Sequence, residues 1–190
     1  MINTENYVLT KDIDRILVSE DQIAEAVKKI SAEIDRDCKN SGKKLLLLGI
    51  LKGSVVFMGD LMKNITTPLE IEFMKVSSYG AGTVSSGRIN IVLDLARNDL
   101  SERDIIIVED IIDSGRTLSY LVEYLTLNGA HSVKTCTLLD KPSRRVVDFV
   151  PDYVGYEIPD EFVVGYGLDY DEQYRALPFV GVLKPSVYTK

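Results

Sequence analysis

Hydrophobic and polar positions change period several times along this chain, and each change marks an element. Ile23, Val27, Ile30 and Ile34 recur at steps of three and four, one face of a helix that ends near Cys38–Gly42. Ser19 stands before it with Gln22 three residues on, the pattern of a capping box. Lys43-Lys44 then gives way to LLLLGI (45–50), an uninterrupted apolar run that suits a strand buried on both faces, as in parallel sheets. After Gly53, Val56, Leu61 and Met62 have helical spacing. IEFMKVSS (71–78) and RINIVLDL (88–95) alternate as strands, with the small-residue loop YGAGTVSSG between them. DIIIVED (104–110) is a second buried strand, RTLSYLVEYLTLNG (116–129) a helix with Gly129 at its C-cap, and VKTCTLLD (133–140) a third strand. Shorter strands are expected at 153–157, 162–166 and 179–183. This alternation of apolar strands and helices predicts an α/β fold with a mostly parallel central sheet flanked by helices. In such sheets ligands bind where loops leave the carboxyl ends of the strands.

Composition adds limits. The chain has 190 residues, 45% of them apolar and 27% charged, which fits one globular domain with a real core. No repeat, low-complexity tract or Pro/Ser-rich linker divides it. No apolar run reaches the ~18 residues of a membrane span, and the polar, acidic N-terminus is unlike a signal peptide. Cys38 and Cys136 lie far apart without metal-ligand spacing, so they are expected as reduced thiols in a cytoplasmic protein. The net charge of −7 argues against nucleic acid as a partner.

The chemistry concentrates in VEDIIDSGRT (108–117), which sets three acids, Glu109, Asp110 and Asp113, against a small polar turn. The turn from Ser114 through Gly115 and Arg116 to Thr117 offers backbone N–H groups at a helix N-terminus. Gly115 permits tight curvature, and Ser114 and Thr117 supply hydroxyls, so the turn is a ready phosphate cradle. Glu109 and Asp110 can accept hydrogen bonds from vicinal hydroxyls or help hold a hydrated Mg²⁺. A sugar phosphate reconciles the two charges. The plainer alternative is an Asp N-cap preceded by solvated acids. GxxxxGK[ST] is absent, and Gly80-Ala81-Gly82-Thr83-Val84-Ser85 lacks the third glycine of a dinucleotide fingerprint.

VEDIIDSGRT closely resembles the phosphoribosyl-pyrophosphate (PRPP) motif of type I phosphoribosyltransferases, in the version found in the hypoxanthine-guanine phosphoribosyltransferases. Other matches extend from about Leu45 to Val182. The resemblance implies a single phosphoribosyltransferase domain over 1–190, with a core at about 40–150 and a small base-binding hood from about 1–20 and 151–190. It implies purine salvage: hypoxanthine or guanine plus PRPP gives IMP or GMP plus pyrophosphate, with Mg²⁺ as cofactor and a homodimer or homotetramer as the assembly. By the same resemblance, Glu109 and Asp110 hold the ribose hydroxyls, and the turn Ser114–Thr117 holds the 5′-phosphate, with no role given to the Arg116 side chain. Asp113 is the implied general base toward N7. Leu51-Lys52-Gly53-Ser54 matches a pyrophosphate turn with a cis peptide before Lys52, and Arg175 matches an arginine near the pyrophosphate. Ser78 and Tyr79 match a lid. Lys141 matches a lysine that donates to O6 of the purine, which disfavours a 6-amino base. Phe162 matches a residue stacking on the purine, and main-chain groups of Val163 and Asp169 its base-edge contacts. Metal ligation falls to Glu109, Asp110 and Asp169.

Taken alone, each short segment has a bland reading: a solvated lysine turn at 51–54, a mobile hairpin after Ser77, a buried strand FVVGYG, a solvated helical Arg175. The only histidine, His131, reads as a surface residue. The functional alternatives are a xanthine-preferring enzyme, a PRPP- or nucleotide-binding regulator of the same fold, and a generic sugar-phosphate domain.

Overall fold

The computed structural model describes residues 8–78 and 89–189. A 3-10 turn, Val8–Asp12, leads into β1 (Ile13–Val18). Helix α1 (Glu20–Cys38) follows, and its N-terminus is the expected capping box: the Ser19 hydroxyl accepts from the Gln22 N–H, and the Gln22 side chain accepts from the Ser19 N–H at 2.9 Å. Its buried face is Ile23, Ala26, Val27, Ile30, Ser31 and Ile34.

Next come β2 (Lys44–Ile50), α2 (Val55–Asn64), β3 (Leu69–Ser78) and β4 (Ile89–Leu93). They are followed by β5 (Arg103–Ile112), α3 (Arg116–Leu127), β6 (Ser132–Asp140) and β7 (Tyr153–Glu157). A six-stranded sheet runs in the order β4-β3-β2-β5-β6-β7. All its pairings are parallel except the antiparallel β3–β4 edge. In a separate three-stranded sheet, β8 (Val163–Val164) and β1 flank β9 (Val180–Leu183), which pairs antiparallel with both. Chain ends thus build a small second sheet, closed by the one-turn helix α4 (Pro185–Tyr188).

The core divides at the central sheet. Leu45 and Leu47 of β2 point with Ile106 and Val108 toward α1 and α2, whereas Leu46 and Leu48 join Ile105 and Ile107 under α3. That two-sided burial is why LLLLGI carries no polar position before Gly49.

Several expectations need correction. In α2 the buried residues are Phe57, Met58 and Leu61, while Val56 and Met62 are exposed. Helical spacing alone could not choose between two apolar stripes on a helix this hydrophobic. Strand β5 continues two residues past Asp110, so Glu109 and Asp110 lie inside the strand rather than forming its last two residues. The strand expected at 162–166 is only two residues long, because Gly165, Tyr166 and Gly167 all take positive φ and turn the chain back. Tyr153–Glu157, assigned above to the hood, pairs with β6 in the central sheet. Gly129 takes φ +85°, one residue past the Asn128 cap of α3. Cys38 and Cys136 are free thiols. Among the described residues no helix is long and apolar enough to cross a membrane.

Candidate active site

The carboxyl ends of β2, β5 and β6 meet at the middle of the sheet, and the turns leaving them converge with the 162–175 segment. The peptide between Leu51 and Lys52 is cis, at the position the sequence assigned to it. Gly53 then passes so close to Asp110 that an added Cβ would sit 1.6 Å from Asp110 Oδ2. A Cβ on Gly167 would sit 2.0 Å from the Gly53 carbonyl oxygen. Two glycines therefore let the 51–54 turn, the β5 acids and the 165–168 turn share one small volume.

The β5–α3 turn is built as a phosphate cradle requires. Gly115 takes φ +80° at the N-cap of α3, and a Cβ there would meet the Arg145 side chain at 2.8 Å. The turn is fixed from behind: the Val146 N–H donates to the Ser114 carbonyl (3.1 Å), and Arg145 Nη1 donates to the Asp113 carbonyl (2.5 Å). Arg145 also pairs with Asp140 at the end of β6. These bonds engage carbonyl oxygens, and α3 brings the N–H groups and positive dipole end of its first turn to the same place.

Glu109 and Asp110 sit in an environment that resists charge. Burial pushes the Glu109 carboxyl well above the ordinary range, and the neighbouring Asp110 adds to this. Glu109 Oε2 is buried with no hydrogen-bond partner among the described residues. Asp110 is raised to about 6, chiefly by burial and further by Asp169, against the N–H of Ile111 and the charge of Arg175. Two buried acids whose charged forms are disfavoured, one with an orphaned oxygen, are suited to a cation or hydroxyl groups. Among the described residues no three acidic, histidine or cysteine side chains form a ready metal cage. An all-oxygen set with few protein ligands is nonetheless what Mg²⁺ accepts, because it keeps several waters and takes substrate oxygens.

A cavity of about 350 Å³ opens beside the turn, lined by Ile111, Asp113, Lys141, Phe162, Val163 and Leu168 with Arg144, Asp160 and Glu161 at the rim. Lys141 is buried, its ammonium 3.6 Å from Asp113 Oδ1, and Arg144 Nε lies 3.7 Å from Asp113 Oδ2. Phe162 stacks on Tyr188 at 4.8 Å and meets Tyr170 edge-on at 5.6 Å. The cavity thus has an aromatic wall, a buried cation and a carboxylate, which suits a flat ring with polar edges.

Asp169 stands apart from Glu109 and Asp110 in its bonding. Its Oδ1 is 2.7 Å from Arg175 Nη2, and its Oδ2 accepts the Glu172 N–H at 3.1 Å. Arg175 lies in a turn rather than a helix, three-quarters covered, and donates to the Gly167 carbonyl at 2.7 Å. Ser78 is the last described residue of β3, and Tyr79, like the loop through Gly87, lies outside the described residues. His131 is partly exposed and its Nδ1 contacts Asp104 at 3.0 Å, far from this edge of the sheet. Glu172, Arg144, Asp160 and Tyr188 were not anticipated. They sit on irregular loops or a one-turn helix, with no periodicity or motif to single them out.

A glycine turn at a helix N-terminus beside a ring-sized cavity at the carboxyl end of a mostly parallel sheet defines an α/β protein with room for a phosphorylated ligand next to a flat ring. The Phosphoribosyl transferase domain model matches residues 16–171. The chain belongs to the phosphoribosyltransferase family and, within it, to the hypoxanthine-guanine phosphoribosyltransferases. It is 53% identical to the hypoxanthine-guanine phosphoribosyltransferase of Bacillus subtilis, over 95% of this chain and 99% of that one. It is 51% identical to the bifunctional protein TilS/HprT of Listeria innocua over 97% of this chain, but spans only 28% of that larger protein. A crystal structure of a Staphylococcus aureus hypoxanthine phosphoribosyltransferase superposes with a TM-score of 0.91 at 47% identity, covering 97% of this chain and 99% of that one.

Proposed function

We propose that the protein is a purine-salvage transferase that converts hypoxanthine or guanine, with PRPP, to IMP or GMP and pyrophosphate. The observation that carries the reading is the Lys141–Asp113 pair at 3.6 Å inside a cavity walled by Phe162, directly beside the glycine turn. A cation and an acid side by side suit the O6 and N7 edge of a 6-oxopurine: Lys141 donates to O6, and Asp113 accepts the N7 proton as N9 bonds to the anomeric carbon. A 6-amino base would set a donor against the Lys141 donor. Phe162 has one face covered by Tyr188, so its remaining face is left for the ring. Main-chain groups of Val163 and Asp169 complete the base edge.

The turn Ser114–Thr117 binds the 5′-phosphate through N–H groups and hydroxyls. Glu109 and Asp110 orient the ribose hydroxyls, and with Asp169 they would hold Mg²⁺. Bound there, Mg²⁺ supplies neutralising charge for the departing diphosphate. Lys52, Gly53 and Arg175 bind the pyrophosphate from the other side of Asp110. Ser78 and Tyr79, the latter outside the described residues, match the family's lid, which would exclude water from the reacting carbon. Within one domain, the described parts of the base-binding hood are residues 8–20 and 158–189, the 153–157 stretch belonging to the central sheet. Function in the cytoplasm as a homodimer or homotetramer completes the proposal, the solvent-facing Val55, Val56 and Met62 of α2 offering an apolar contact.

Nucleotide binding tests the reading. IMP or GMP at about 100 times its Kd should stabilise the protein by about 2.7 kcal/mol in thermal melts, with AMP doing far less. Equal stabilisation by AMP would contradict the role of Lys141.

A further inference from the structure

We propose that Glu172 is an internal competitor for the pyrophosphate subsite: its carboxylate occupies Lys52 and Arg175 in the free protein and is displaced when a diphosphate arrives. The proposal rests on the reading of Lys52, Gly53 and Arg175 as the pyrophosphate-binding group. Both carboxylate oxygens of Glu172 lie 3.0 Å from Lys52 Nζ. One of them is also 3.3 Å from Arg175 Nη2. A single carboxylate therefore engages the two cations that reach this subsite from opposite segments of the chain, and its oxygens accept from the same donors that phosphate oxygens would use.

The segment carrying Glu172 is held in an unusual shape. Asp171, Glu172 and Tyr174 have φ of 51°, 59° and 73°, all in the left-handed region without being glycine. Such backbone persists where the surroundings fix it. Here the Tyr170–Gln173 backbone bonds and the Asp169–Arg175 pair do so, and they aim Glu172 at Lys52. The contact is also built to be given up. Lys52 is 52% exposed and Glu172 66% exposed, so water screens the pair and its strength is modest. A buried pair would lock the subsite, whereas an exposed one only raises the concentration of diphosphate needed to open it.

Displacement has a second consequence. The Glu172 N–H and Arg175 together hold the Asp169 carboxylate in this state. A diphosphate arriving at Lys52 and Arg175 competes for the same Arg175 Nη2 that pairs with Asp169 Oδ1. Return of Glu172 to Lys52 then favours departure of the diphosphate after reaction.

The test is the affinity for inorganic pyrophosphate with Mg²⁺, titrated into wild type, Glu172→Gln, Glu172→Ala and Lys52→Gln. Loss of an exposed competing charge should tighten binding roughly two- to five-fold in both Glu172 variants. Pyrophosphate release in single-turnover experiments should slow by a similar factor, and Lys52→Gln should bind more weakly than wild type. Unchanged or weaker binding in both Glu172 variants, with Lys52→Gln still impaired, would overturn the competitor while leaving the subsite intact. A wild type that binds no pyrophosphate, or a Lys52→Gln variant indistinguishable from it, would instead remove the subsite itself and the competitor with it.

Discussion

At the scale of single residues, the three acids of β5 and its turn divide by environment. Asp113 faces the base cavity with Lys141 and Arg144 beside it, which fits proton transfer. Asp113→Asn should lower kcat roughly 10²- to 10⁴-fold while PRPP affinity changes much less, a split that steady-state kinetics and PRPP titration resolve. Equal losses in both would make Asp113 a binding residue only. Lys141→Gln replaces a charged donor to O6 by a neutral one. It should cost kcat/KM roughly 10- to 100-fold with hypoxanthine and guanine, about 1.5–3 kcal/mol. Asp110 gives a pH signature. Its folded pKa of about 6 lies above the ordinary carboxylate range, so the folded state binds that proton more tightly than the unfolded chain does. The cost is absent at low pH, grows as pH rises from roughly 4 to 6 and is complete above that. Asp35 acts in another window: burial raises it, but bonds from Thr66 and Thr67 outweigh burial and bring it to about 2, so its contribution is lost only as pH falls below roughly 4. Denaturant melts of the ligand-free protein should therefore show stability falling from roughly pH 4 to 6, Glu109 adding to the fall, and Asp110→Asn should make the slope shallower.

At the scale of elements, glycine contacts hold the site together. Gly53→Ala forces a methyl group into Asp110 and should destabilise the protein by about 1–3 kcal/mol, and thermal melts with PRPP titration should show lost binding as well. Ser19→Ala removes the α1 cap far from the site. It should cost about 1 kcal/mol, visible as a lower Tm, and leave kcat unchanged. Element by element, the sequence was most legible where burial was two-sided or capping chemistry explicit. LLLLGI, DIIIVED and the Ser19–Gln22 box all appear where the pattern put them. Legibility failed where tertiary packing chose the outcome. The solvent-facing side of α2 carries Val55, Val56 and Met62, enough to blur its apolar stripe, and the 165–174 segment takes its path from left-handed backbone and from contact with Gly53 rather than from any periodicity. For that reason the residues that organise Lys52, Arg175 and Asp169 were readable individually, by resemblance, but their joint bonding through Glu172 was not.

At the scale of the whole molecule, one end of the sheet gathers a glycine turn at a helix N-terminus, two charge-resisting acids and a cavity with an aromatic wall from segments more than a hundred residues apart in sequence. The second sheet draws on segments near both ends of the chain, and next to it Phe162 lines the cavity and stacks on Tyr188. The central claim is that this assembly joins a 6-oxopurine to ribose 5-phosphate. Its most direct test is to supply the protein with PRPP and Mg²⁺ and, separately, hypoxanthine, guanine, xanthine and adenine, and to measure the monophosphate formed. IMP and GMP should accumulate with release of pyrophosphate, and AMP should not. No product with any base, or turnover with adenine alone, would contradict the account.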